Sequence, residues 1–435
     1  MKAWAILVSA GLSLGAVLPA RAVAIQQITS PGGISAWLVE DHTNPIIAMS
    51  VSISGGAALD PPDKTGLANL VTDLLDEGAG DLDSQAYQGK LNDLSIGLDF
   101  SVGHDSMVIG LKTLAENRET AFGLLGLALA KPRFDPDAID RVRSQELSAL
   151  AQELASPRSI AARALAALLF PGHAYGRPAD GDPESVKSIT RDDLVMWAGH
   201  HIGRDALVVS VVGDVTPDQL KPLLDAAFAG LPQHVDPIDI PDVAPQGAGK
   251  VDVIRKPFAQ SVAAIAEAGV KRADPDWYAA YVMNYVLGGG GFSSRLMTEV
   301  RVKRGLAYDT ESFLVPRDHA GLIEASVATR NDRVVDSLAV VKQEWARLAE
   351  NGVTEAELSS AKKYLNGSFP LELSSTEALA GLLNVIQRDH LGIDYLERRH
   401  KLIDGVTVAD VRRVARRLLR VADMTTVVVG DPRGM

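Results

Sequence analysis

The chain has no cysteine among its 435 residues, which excludes disulfides, a thiol nucleophile and a lipidated N-terminal cysteine. Aromatic residues make up only 5%, so stacking platforms are scarce, and a formal net charge of -12 argues against nucleic acid as a partner. Beyond the first residues no apolar run reaches the ~20 positions that a bilayer span requires. The Gly-x-Ser-x-Gly turn of serine hydrolases is missing. So are H-x-x-E-H and H-E-x-x-H, the spacings that turn two imidazoles to one side of a helix. The nine histidines are scattered, and the adjacent His200 and His201 cannot face the same way on a helix.

What is present begins with an apolar leader. Lys2 is the only early charge, Ala3 to Leu18 is apolar, and Ala20-Arg21-Ala22 precedes Val23 as a cleavage site. Residues 1–22 read as an export signal, which implies a bacterial periplasmic location with no membrane span left after cleavage. The remaining chain, 46% hydrophobic overall, is ample for two or three cores.

Thr190 to Asp214 aligns without gaps to Thr407 to Asp431, at a constant offset (407 − 190 and 431 − 214 both give 217). Each copy starts with a Thr cap and an amphipathic helix and ends in a β-branched strand closing Val-Val-Gly-Asp. The period is far too long for a solenoid and points to two homologous domains, 23–231 and 250–435. The proline-rich stretch 232–249 between them reads as a linker. Strands are expected at Ile34 to Val39, Ile46 to Ile53, Leu98 to Gly103 and Ser106 to Leu111, with helices at Thr65 to Glu77 and Pro136 to Leu154. The second half repeats strands and helix pairs, with a helix expected from Asp276 to Leu287. The class is α+β, each domain a largely antiparallel sheet with helices packed on one side.

The most specific stretch is Gly288 to Tyr308, GGGGFSSRLMTEVRVKRGLAY. Ser293 and Ser294 suit a helix N-cap, Leu296 and Val300 share a face, and Gly305 suits the left-handed C-terminal position. Glycines before a helix also suit an anion, although no Gly-Lys-Ser/Thr or G-x-G-x-x-G spacing accompanies them. The whole run resembles the second half of pitrilysin/insulinase-family zinc peptidases, in the short two-domain branch that includes the mitochondrial processing peptidases. That resemblance implies two related domains forming a half-shell around a chamber, with Arg295 and Tyr308 holding the peptide substrate.

The resemblance also implies a zinc site in the first half, and here the chain departs from the family pattern. Active members carry H-x-x-E-H just after Gly-Leu-Ala on a helix. Gly66-Leu67-Ala68 is in register, so the motif positions hold Asn69, Thr72 and Asp73. Leu67, Leu70, Val71 and Leu74 form the apolar stripe, leaving Asn69, Thr72, Asp73 and Asp76 to the other face. Glu146 is the nearest counterpart of the family's distal ligand: a remnant of it, or a solvated helix residue. The expectation is a chain without its own metal or catalytic residues, inactive alone, acting as the substrate-binding subunit beside a homologous zinc-bearing subunit. The alternative is a stand-alone peptide-binding or scaffold protein of the same fold.

Overall fold

The computed structural model describes residues 23–435; the export signal expected at 1–22 lies outside the described residues. In the first half the strands are β1 (Gln26–Thr29), β2 (Ser35–Glu40), β3 (Ile46–Ser54), the short pair β4 (Gly78–Ala79) and β5 (Leu82–Asp83), β6 (Gly97–Val102), β7 (Ser106–Leu114) and β8 (Leu207–Gly213). The second half contributes β9 (Val251–Arg255), β10 (Gln260–Ala268), β11 (Ala307–Pro316), β12 (Gly321–Arg330) and β13 (Thr425–Gly430). The large sheets run β1-β2-β8-β3-β7-β6 and β9-β13-β10-β12-β11. Apart from β1, the two orders correspond strand for strand. Each sheet has a single parallel pairing, β2 with β8 and β9 with β13, and the rest is antiparallel.

The repeat seen in the sequence is also a repeat of local geometry. Thr190 caps the helix Arg191–His201 by accepting from the Asp193 backbone N–H, and Thr407 does the same for Val408–Leu418 through Asp410. The following strands end at Gly213 and Gly430, with φ of 135° and 147°. A Cβ there would lie 2.1 Å from the Ile46 carbonyl oxygen and 2.4 Å from Ser261 Oγ. Both copies therefore need glycine at this turn out of the sheet.

Alternation along β3 explains the layering. Ile47, Met49, Val51 and Ile53 face the first domain's own helices, meeting Leu70, Leu74, Phe122 and Leu125. Ala48, on the opposite face, joins Val39 and Val212 beneath Leu379, Leu383 and Ile386 of the helix Thr376–Arg388, which comes from the second half. The first half returns the contact. Its helix Pro157–Leu169 lays Ala161, Leu165 and Leu169 on Ala266, Leu322, Val427 and Val429 of the second sheet. Each domain's own helices thus cover one side of its sheet, and a helix lent by the other domain covers the second side. Asn384 and Gln387 reinforce this, donating to the carbonyls of Val208 (2.8 Å) and Val209 (2.9 Å). Residues 232–249 form neither helix nor strand and are pinned on the way, Val243 N–H to the His319 carbonyl and Gln246 N–H to that of Leu169.

Two helices are shorter than their apolar patterns suggest. The Thr65 to Glu77 pattern is helical over Leu67–Leu74, because Asp60 accepts from the N–H groups of Gly66 and Ala68 and fixes the start there. The Asp276 to Leu287 pattern is α-helical over Trp277–Asn284 and widens into a π turn at Tyr285–Gly289. Gly288 is the reason: a Cβ on it would sit 2.3 Å from the Ser312 backbone nitrogen, so glycine lets the turn press against β11.

Candidate functional site

The helix Leu67–Leu74 lies against Pro136–Glu153, and this brings together all four positions singled out in the first half. Asn69 Nδ2 donates to Glu146 Oε1 at 2.8 Å. Asp73 faces the same carboxyl. Thr72 is only 1% exposed, and its hydroxyl donates back to the Ala68 carbonyl at 2.6 Å, so it does not share the open face with Asn69 as its spacing suggested. Glu146 is 7% exposed and lines a cavity of about 630 Å³, which corrects its reading as a solvated helix residue. The i, i+4 spacing of Val142, Glu146 and Leu150 between buried neighbours carried that information.

Burial, then the neighbouring Asp73 charge, pushes the Glu146 carboxyl up to about 8, and desolvation at the cavity wall raises Asp73 as well. The folded chain therefore keeps a proton on Glu146 that the unfolded chain, at the ordinary 4.5, releases. The stability this group contributes is full below the unfolded value and is lost as pH rises toward 8. Glu146→Gln removes that dependence. Thermal unfolding should show the variant gaining on the parent between about pH 5 and pH 8; parallel profiles would refute a buried, protonated Glu146.

These residues do not fit zinc. The metal takes about four ligands from imidazole, thiolate or carboxylate. Asn69 offers an amide, Thr72 is committed to its own helix, and the two carboxyls face each other. Among the described residues no group of three His, Cys, Asp or Glu side chains is arranged to hold an ion.

The second-half positions lie on the other domain. Ser294 Oγ accepts from the Met297 N–H, capping a helical segment that widens into a π turn over Met297–Val302. Gly305 ends it at φ 59°. Arg295 turns inward and its side chain is 11% exposed. Its Nε and Nη2 grip Glu357 bidentately, both at 2.8 Å, and Nη2 also reaches the Gly352 carbonyl, leaving Nη1 without a partner. Hydrogen bonds from Arg295 and Thr354 outweigh burial and hold the Glu357 carboxyl down at about 2. Tyr308 is the opposite case, 74% exposed on edge strand β11. The Arg301 guanidinium sits 4.8 Å from its ring and 4.9 Å from that of the exposed Phe292. Sequence reasoning missed Glu357, whose place in a Thr354 capping box masks its second job, and missed Phe292 and Arg301.

A duplicated α+β domain, a first-half cradle lacking metal ligands and a glycine-rich loop with an open tyrosine define a two-domain metallopeptidase fold with a degenerate centre. Residues 36–181 match the family described as insulinase (peptidase family M16), and residues 188–365 match the peptidase M16 inactive domain. The chain is 30% identical to the non-peptidase homolog YmxG of Helicobacter pylori, over 88% of this chain and 87% of that one. It is 24% identical to the mitochondrial-processing peptidase subunit beta of Blastocladiella emersonii, over 92% and 87% of the two chains. The crystal structure of a peptidase M16 inactive domain from Pseudomonas fluorescens matches with a TM-score of 0.88 at 28% identity, covering 94% of this chain and 98% of that one. The chain belongs to peptidase family M16, as one of its members without the zinc-binding side chains.

Proposed function

We propose that this non-catalytic M16 chain is the substrate-binding subunit of a heterodimeric zinc peptidase, whose homologous partner carries the metal. The observation behind this reading is a contrast within one chain. The cradle positions are closed by bonds among Asn69, Glu146 and the Ala68 carbonyl, while Tyr308 stands open beside the Gly288–Gly291 loop. A phenol hydroxyl donates one hydrogen bond, whereas Arg295 is turned inward with its unpaired Nη1 buried. In the complex the Tyr308 hydroxyl meets the peptide carbonyl and the negative charge that develops on it, and Arg295, bound to Glu357, positions the segment that leads from the glycine-rich loop to Tyr308. The export signal expected at 1–22 would place the complex in the periplasm.

The test is peptidase activity and zinc content, measured on this chain alone and after mixing with a homologue that keeps H-x-x-E-H. Activity only on mixing is the expected result. Tyr308→Phe should then lower the rate of the complex about tenfold or more while leaving assembly intact. Zinc and turnover in the lone chain would overturn the reading. The unpaired outer edge of β11 favours a second reading, a stand-alone binder that takes extended peptides by strand addition. It predicts peptide binding with no activity in any mixture.

A further inference from the structure

We propose that the slot between the helix Pro157–Leu169 and the second sheet is a binding site for an aliphatic carboxylate whose acid head meets Arg317. The slot follows from side-chain spacing. Arg158, Ala162, Leu165, Ala166 and Leu169 recur at three and four positions, which is one face of the helix. Opposite stand Val262 and Ala264 of β10, Leu322 and Glu324 of β12 and Phe313 of β11, alternate residues on one face of the sheet. Leu165 and Leu169 close on the sheet, whereas the alanines at 162, 166 and 264 leave space that larger side chains would fill. The cavity that remains is about 280 Å³. At ~30 Å³ for each methylene-sized group, the share of a water molecule in the liquid, that is room for roughly nine groups, an acid of about eight carbons with its head.

An apolar slot alone names no ligand. What points to one is Arg317, just past the end of β11. Its guanidinium lies 4.7 Å from the ring centre of Tyr175 and 5.7 Å from that of Phe170, and Nη1 is buried with no hydrogen-bond partner. Among the described residues no carboxylate comes within ion-pair distance of it. Arg158 differs, reaching Asp309 at 3.3 Å and Glu311 at 3.5 Å, so its charge is answered. Glu324 is the one acid in the lining. Burial raises its carboxyl against the opposing pull of Arg317, so it holds its proton more firmly than an exposed glutamate and answers the guanidinium only in part.

Walls and guanidinium select the ligand together. A buried N–H calls for an oxygen acceptor, and an anionic one makes the stronger, charge-assisted bond. An amine would set another cation beside Arg317 and Arg158. An alcohol or amide would leave the guanidinium charge unanswered, and a sugar-like molecule would bury hydroxyls against apolar walls without partners. A single carboxylate on a saturated tail satisfies both surfaces. Two sources share that chemistry: a free medium-chain acid, and the last residue of a peptide, where an apolar side chain sits beside the terminal carboxylate.

The site goes beyond the peptidase-subunit reading and does not depend on it. It is tested on the isolated full chain by calorimetric titration, with no partner present, using octanoate, octanamide, octylammonium and a peptide ending in leucine, free or amidated. Octanoate should bind about tenfold more tightly than octanamide. Arg317→Met keeps a stem over the two rings and should abolish that difference, whereas Arg317→Lys should retain part of it. Ala166→Leu narrows the slot with both charges in place and should weaken octanoate about tenfold. Unfolding curves check that the variants are folded; the two positions test head and tail independently. Absence of octanoate binding, equal binding of octanoate and octanamide, or tighter binding of octylammonium overturns the proposal. So does a difference that survives Arg317→Met, or an affinity unchanged in Ala166→Leu. A free-ended peptide that binds more tightly than octanoate assigns the site to chain termini, and the reverse order assigns it to free acids; both uphold a carboxylate site.

Discussion

Arg295→Ala should destabilise the second domain by about 3 kcal/mol, whatever it does to peptide handling. The guanidinium is nearly buried and holds both oxygens of Glu357 as well as the Gly352 carbonyl. Removing it leaves a carboxylate that is already half enclosed and tied to the Thr354 cap. Its folded pKa, about 2, lies below the ordinary 4.5, so the pair's contribution is present above the unfolded value and disappears as pH falls toward 2. The gap between parent and variant in denaturant unfolding should therefore be widest near neutrality and close in acid. A constant gap would mean that the loss is packing rather than charge. A fall in peptidase rate in an Arg295 variant is thus not by itself evidence of substrate contact; Tyr308→Phe, at an exposed position, is the cleaner probe.

Leu383→Ala and Leu165→Ala should each cost about 3 kcal/mol, and by similar amounts. These side chains are 0% and 3% exposed, and each is buried in a cluster shared with the other domain's sheet. Leu383 lies with Val39, Ala48 and Val212 of the first half, and Leu165 with Val427 and Val429 of the second. Each truncation opens a cavity between a lent helix and a foreign sheet. Both should lower the single unfolding midpoint, and limited proteolysis should cut more readily within 232–249. If either variant melted only one half, the two halves would not be thermodynamically coupled as this packing requires.

Much of this architecture could be read from residues whose constraints are local. The strands expected at Leu98 to Gly103 and Ser106 to Leu111, both Thr caps and the Val-Val-Gly-Asp strand ends depend on spacing within a few positions, and the structure reproduces them. The cradle was legible for the same reason, since Gly66-Leu67-Ala68 sets the register of Asn69 and Asp73. What was hidden depends on distant partners. Nothing near Arg295 announces Glu357, 62 positions away, and nothing in the amphipathic pattern of Thr376–Arg388 says whose sheet it covers. Thr72 was placed on the open face because its spacing matched Asn69, whereas its hydroxyl bonds to its own helix.

The lent helices bear on what one half of the chain could be without the other. A polypeptide holding one copy of the repeat would fold with one face of its sheet bare and one helix without a surface to cover. Two such copies would complete each other by trading helices, as a symmetric pair in which neither is whole alone. In the tandem chain each half supplies the helix that the other lacks, so neither half can unfold without uncovering a sheet face of its neighbour.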